Sequence, residues 1–366
     1  MNSLFAKIKY FDKPLLLVSG LLLIVGLAIL YSVSVSGDNL ILFYRQSLFA
    51  LAGVVAFWLT AFYNYHNLGK LNRFLYPAII LALILVLIFS PQIRGSARWI
   101  NFGPVQFQPG EFAKLIIVVG LSRWLYLKRG QINSWKSIFL TLIYTVIPAS
   151  LVLFEPDLGT TMILAGIWLG ILLISSINKK FIFGLALLIA VVGTGAWNFV
   201  LKDYQKGRVE TFLNPNSDPR GRGYNVKQAV IAVGSGQLLG KGFGRGLQSS
   251  LKFLPERYTD FIFASAGEEI GFVGSAALLI LYVLLFMRLV KIMSSAKDDF
   301  GFYLVGGVLF MIFGQVIINL GVNMGLLPVT GIPLPFLTYG GNTILVTLIA
   351  LGIVQNVAMQ SKTLRF

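Results

Sequence analysis

The stretch LPERYTDFIFA, residues 254–264, delivers one carboxylate, Asp260, to the point where a long polar segment turns apolar. A carboxylate is costly to dehydrate, so its presence there points to chemistry at a membrane surface more readily than to core packing. The competing role is structural, because an aspartate just before an apolar run can cap the helix that follows. Glu268 lies two turns further on, and a helix start holding both acids on roughly one face would line a polar cleft.

Two more polar clusters interrupt apolar sequence. In QFQPGEFAK, residues 106–114, Glu111 and Lys114 stand three apart, the spacing of an intrahelical ion pair that lowers the cost of placing both charges in lipid. Function and pairing are compatible there, since a buried acid and base hold each other charged. Arg94 and Arg98 lie just upstream, and Asp157 sits in the short Glu155-Pro156-Asp157 corner; all three join the candidate site as supporting groups. In LPFLTYGGNT, residues 334–343, proline and paired glycines predict a broken helix, tolerable at membrane depth only inside protein or against a cavity.

The elements that must position these groups are membrane helices. The 366 residues are 56% hydrophobic and only 12% charged, with a mean hydropathy of +0.79, far too apolar for an ordinary soluble domain. Apolar runs of roughly 17 to 25 residues, enough to cross the hydrocarbon core, recur about ten times. They fall near 14–35, 46–63, 72–90, 108–127, 137–154, 159–177, 180–201, 260–288, 301–322 and 336–358. The first is too long for a signal-peptide core and lacks a clear cleavage site, so it reads as a transmembrane helix. The expected fold is an all-α polytopic membrane protein forming a single domain over 1–366. With 0 cysteines and the single histidine His66, thiol nucleophiles, disulfides and a histidine-rich zinc site are excluded.

An even number of spans puts both termini on one side, and the positive-inside rule makes that side cytoplasmic. Lys7, Lys9, Lys13, Lys70, Arg73, Arg123, Lys128, Arg129, Lys136, Lys179, Lys180, Arg288, Lys291, Lys297, Lys362 and Arg365 then lie inside, against Arg45, Arg94 and Arg98 outside. The long segment 202–259, between the seventh and eighth spans, becomes an extracytoplasmic loop. Its cations, among them Arg208, Lys241, Arg245 and Arg257, run against the topology rule and imply an anionic partner. Glycines at 234, 236, 240, 242, 244 and 246 either bring backbone amides close to a phosphate or simply let the loop turn. Residues 225–233 read as a more regular stretch.

QPGEFAKL (108–115), EPDLGT (155–160), FLNPNSDPRGRGYNVKQA (212–229), LPERYTDFIFA (254–264) and GIPLPFLTYGGNT (331–343) occur in one order along the chain. Together they resemble the SEDS family of cell-wall glycosyltransferases, and Arg257 within LPERYTD looks like that family's elongation branch, RodA, rather than its division branch, FtsW. Two positions depart from the family pattern: Tyr258 stands where histidine is frequent, and Asn342-Thr343 replaces a serine pair.

The resemblance implies a peptidoglycan glycosyltransferase of the bacterial cytoplasmic membrane. Its substrate would be lipid II, its product an undecaprenyl-linked glycan, and its site on the outer face. It makes Asp260 the essential carboxylate and Glu111 and Lys114 functionally sensitive, with a class B penicillin-binding protein as partner. Membrane lipids surround the chain and no nucleic-acid partner is expected. No cofactor is evident, and a divalent cation such as Mg2+ is left open because no clustered ligand spacing demands one. A lipid II flippase would also use broken helices and intramembrane charges, but cations concentrated on one face with the acid at that face favour the enzyme.

Overall fold

The computed structural model describes residues 9–90, 98–103, 105–128, 133–178, 180–181, 183–184, 195, 203–214, 218, 221–246 and 253–362. The expected seventh span, 180–201, falls almost wholly outside the described residues, as do Arg94, Arg220 and Lys252. The described elements are α1 Lys13–Ser36, α2 Leu40–Phe62, α3 Tyr65–Phe89, β1 Ile100–Phe102, β2 Val105–Phe107, α4 Pro109–Leu127, α5 Trp135–Phe154, α6 Leu158–Ile174, α7 Asp203–Leu213, α8 Arg222–Ser235, α9 Ile262–Ser294, α10 Asp299–Asn323 and α11 Gly341–Lys362.

Seven of these helices are long and apolar enough to cross a membrane: α1, α2, α3, α5, α9, α10 and α11. Two further expected spans are also helical. The 17-residue α6 is shorter, and the 19-residue α4 carries Glu111, Lys114 and Arg123 along its length. Large apolar side chains on α1, α2 and α3 point outward, Ile24, Leu48, Leu59 and Ile88 among them, as expected where lipid rather than protein covers a surface. α11 is the most enclosed of the seven. Its approach to α2 depends on Gly352, where a side chain would run into the Phe57 backbone, the small-residue contact by which membrane helices pack closely.

The structure differs from expectation in three places. A small antiparallel hairpin, pairing Ile100 with Phe107, Asn101 with Gln106 and Phe102 with Val105, precedes α4. The segment expected as one long loop contains two helices, α7 and α8. And α9 is bent: Gly271 sits at φ 66°, ψ −167°, a conformation essentially reserved for glycine.

The bend strips backbone groups of their helical partners, and the glycine-rich run replaces them. Lys241 and Gly242 donate their amides to the carbonyls of Glu268 and Glu269 at 3.0 Å each. Phe272 and Val273 donate to Gln237 and Leu238 at 2.8 and 3.0 Å. A Cβ at Gly271 would lie 2.1 Å from the Gly240 nitrogen, so neither side can carry a side chain. An ion pair completes the joint, Lys241 Nζ lying 3.2 Å from Glu268 Oε1.

Gly271→Ala is expected to destabilise the fold by about 2 to 4 kcal/mol, from the forbidden backbone conformation and the backbone clash together. Thermal unfolding in detergent checks this against Gly20→Ala, which has nothing within 4 Å of its Cβ. Equal unfolding temperatures for the two variants would contradict the account of the bend.

Candidate active site

Asp260 is not on α9. The helix begins at Ile262, its cap position is Phe261, and no side chain there makes a capping bond. The capping role for Asp260 is therefore set aside, and so is a shared helix face with Glu268. The α9 start is capped from another helix: the Ala264 amide donates to Asn323 Oδ1 on α10 at 2.9 Å.

The same α10 face fixes the backbone of Asp260. Its carbonyl accepts from Asn319 Nδ2 at 3.2 Å and from Asn323 Nδ2 at 2.9 Å. Asn319 Nδ2 also donates to the Ile332 carbonyl at 2.8 Å, which brings the broken segment before α11 alongside. That segment passes close enough that a Cβ on Gly331, φ +76°, would stand 3.8 Å from Asp260 Oδ2. Below it, Thr338 Oγ1 donates to the Thr259 carbonyl at 3.2 Å, and the Tyr339 amide to the Tyr258 carbonyl at 2.8 Å. Tyr282 and Gln46 hold the segment from outside through Pro335, Thr338 and Gly340. The expected break is present and lies inside protein.

Two arginines converge electrostatically on the Asp260 carboxyl. Burial, reinforced by Glu256, pushes it up to about 6, while Arg208 and Arg98 pull it down and Asp157 adds to the rise. Arg208, on α7, donates to the Val329 carbonyl at 3.0 Å. Arg98 is clamped by the corner between α5 and α6: it donates to the Glu155 carbonyl at 3.4 Å and to the Pro156 carbonyl, and its Nη1 lies 3.7 Å from Asp157 Oδ1. Asp157 is itself fixed as the cap of α6, accepting from the Thr160 amide at 3.1 Å and its hydroxyl at 2.9 Å. Glu155 is 1% exposed. Burial and the neighbouring Asp157 push it up to about 8, so near neutral pH it is largely protonated.

The remaining candidates separate. Glu111 and Lys114 form the expected i,i+3 pair at 2.6 Å, both buried, on α4 one turn beyond Gln108, whose amide reaches Asp157 Oδ2 at 3.5 Å. Glu111 Oε2 has no hydrogen-bond partner among the described residues. Lys241 and Glu268 belong to the α9 bend. Arg245 is exposed. Arg257 is buried, donates to the Tyr258 hydroxyl at 2.9 Å and stacks over that ring. Sequence reading missed Asn319 and Asn323, whose only signal is two amides four residues apart in an apolar run. It also missed the reason for Asn342, which donates to the Gln106 carbonyl at 2.8 Å and ties α11 to the hairpin.

The chain has known relatives. A family model described as "Cell cycle protein", covering FtsW, RodA and SpoVE, matches residues 10–363. The chain belongs to this family. It is 40% identical over 292 residues, 80% of this chain and 78% of the relative, to peptidoglycan glycosyltransferase MrdB of Escherichia coli K12. The fold matches, at a TM-score of 0.82 and 30% identity over 96% of this chain and 98% of the other, a chain from a structure titled as the structural coordination of polymerization and crosslinking by a peptidoglycan synthase complex. It also matches the crystal structure of the rod shape determining protein RodA of Thermus thermophilus, with a TM-score of 0.72 and 27% identity over 96% and 98% of the two chains. The expectation of a SEDS-family glycosyltransferase is borne out.

A carboxyl raised to about 6 is ionised above that pH and protonated below it. If Asp260 must accept a proton, activity falls as pH drops through about 6 and levels off above it, on the condition that the fold survives. Reaction rates between pH 5 and 8, with thermal unfolding at each pH as the control, check this; a rate that stays flat down to pH 4.5 would contradict it.

Proposed function

We propose that the protein polymerises lipid II into β-1,4 glycan strands, with Asp260 as general base. The carboxylate takes the proton from the 4-hydroxyl of the acceptor sugar as that oxygen attacks the anomeric carbon of the donor. The bond to the donor's pyrophosphate breaks with inversion, and undecaprenyl pyrophosphate leaves carrying the negative charge. Pyrophosphate needs little help from a general acid, so one carboxylate suffices. Arg98 and Arg208 supply positive charge beside it, where a preorganised cation stabilises charge that develops in the transition state.

The observation that carries this reading is Asp260, a half-buried residue held by its backbone just before α9, with two anchored arginines acting on its carboxyl. Glu111 and Lys114 pair with each other on α4, one turn beyond Gln108, and it is Gln108 that reaches the Asp157 corner. Arg245 is the one exposed loop cation of the candidate set left to meet an anionic substrate.

The excess of Lys and Arg on the opposite short loops supports an outer-face site with both termini in the cytoplasm. A role in elongation and rod shape rests on the similarity to RodA and MrdB and on the LPERYTD motif. A crosslinking partner, a class B penicillin-binding protein, is the natural consumer of the new strand, and the similarity to a chain from a polymerization and crosslinking complex supports it.

Purified protein in detergent, given lipid II alone, is expected to produce glycan strands. Detergent offers no second compartment, so a flippase would yield no product there. Failure to polymerise, with lipid II moved across vesicle bilayers by the same preparation, would favour the transporter.

A further inference from the structure

A second basic site lies at the opposite end of α4 from Asp260. The helix is 19 residues long, about 28 Å at 1.5 Å per residue, and its far end opens on a cavity of about 440 Å³ at the corner with α5. Trp124, Lys128, Asn133, Ser134, Lys136 and Leu140 line it. We propose that this cavity binds the headgroup of an anionic phospholipid.

Asn133, just before α5, accepts from the Asn178 amide at 2.7 Å and donates to the Ser176 carbonyl at 3.4 Å, which ties the approach to α5 to the chain leaving α6. Ser134 accepts from the Ser137 amide at 3.2 Å and so holds the first turn of α5. Lys128 and Lys136 are exposed and make no ion pair among the described residues. The sequence offers them none nearby either: between Glu111 and Glu155 there is no acidic residue, while Lys114, Arg123, Lys128, Arg129 and Lys136 all fall in that stretch. Lys180, at the end of the segment Asn133 holds, adds to the same sign.

The surroundings select a lipid over a free anion. Leu127, Trp135, Phe139 and Leu140 are 61%, 56%, 59% and 46% exposed around the corner, an apolar rim of the kind that faces acyl chains. Trp124 forms part of the wall itself, and tryptophan is the side chain favoured at the level of lipid headgroups. A phosphate between the two lysines with its acyl chains along Phe139 and Leu140 satisfies both the charge and the rim. Basic pockets of this kind on the cytoplasmic side bind anionic headgroups. The inference does not rest on the catalytic reading, since the cavity shares no residue with that site.

The test is lipid retention by purified protein, titrated with phosphatidylglycerol and with phosphatidylcholine and read by native mass spectrometry. The parent is expected to prefer phosphatidylglycerol by at least about tenfold, roughly the factor that two lysines near a headgroup supply. Lys128→Gln with Lys136→Gln should abolish the preference. Lys291→Gln with Lys297→Gln, the same loss of charge elsewhere, should keep it. A parent with no preference overturns the proposal whatever the variants do. So does a Lys128/Lys136 variant that keeps the preference while folded, and so does displacement of the lipid by millimolar inorganic phosphate, which would mark a site for the free anion.

Discussion

The fold depends on one awkward requirement: an ionisable residue must sit at the edge of an apolar bundle with its backbone outside any helix. Freed from a helix, the carbonyl of Asp260 and the first amides of α9 need partners, and a buried polar group without one costs about 1 to 3 kcal/mol. Two asparagine side chains meet that need at once. Asn319 and Asn323, one turn apart on α10, donate to the Asp260 carbonyl, and Asn323 also accepts from the Ala264 amide. Because Asn319 reaches Ile332 as well, the carboxylate, the start of α9 and the broken segment before α11 are set by one pair of side chains. That shared anchor leaves the carboxyl of Asp260 free for chemistry while its main chain cannot shift.

The same logic recurs a few residues on. Gly271 bends α9 and frees four backbone groups, and the glycine-rich run supplies their partners with Lys241 and Glu268 alongside. Glycine there serves close approach of two backbones, so the amides that a phosphate would need are already in use on α9. On the other side of the site, Asp157 caps α6 and holds Arg98 at the same time. Arg98, Arg208 and Asp157 thus each have a structural partner that keeps them in place, the condition for an electrostatic site that needs no reorganisation when charge develops.

Much of this was legible in the sequence, and the pattern of misses has a physical cause. Apolar length located α1, α4, α5, α6 and α10 to within about three residues at each end, because crossing lipid is a local constraint. The i,i+3 spacing was enough for the Glu111–Lys114 pair, and proline with paired glycines was enough for the break before α11. The start of α2 at Leu40 was missed by the apolar count because Tyr44, Arg45 and Gln46 interrupt it, yet Gln46 is buried by bonds to Thr338 and Gly340. Polar helices such as α7 leave no apolar run to find. The partners of Asp260, Lys241 and Asn342 lie dozens to hundreds of residues away in sequence, and no local period reports a contact of that range.

The central claim is that Asp260 acts through its carboxylate and is positioned through its backbone. Asp260→Asn separates the two, since it keeps the carbonyl that Asn319 and Asn323 hold and removes the group that accepts a proton. The decisive measurement is the rate of lipid II polymerisation by this purified variant beside the parent, with thermal unfolding recorded for both. The account predicts unchanged unfolding and a loss of at least about a hundredfold in rate; polymerisation near the parent rate by the folded variant would contradict it and move the search for the base to Glu111 and Asp157.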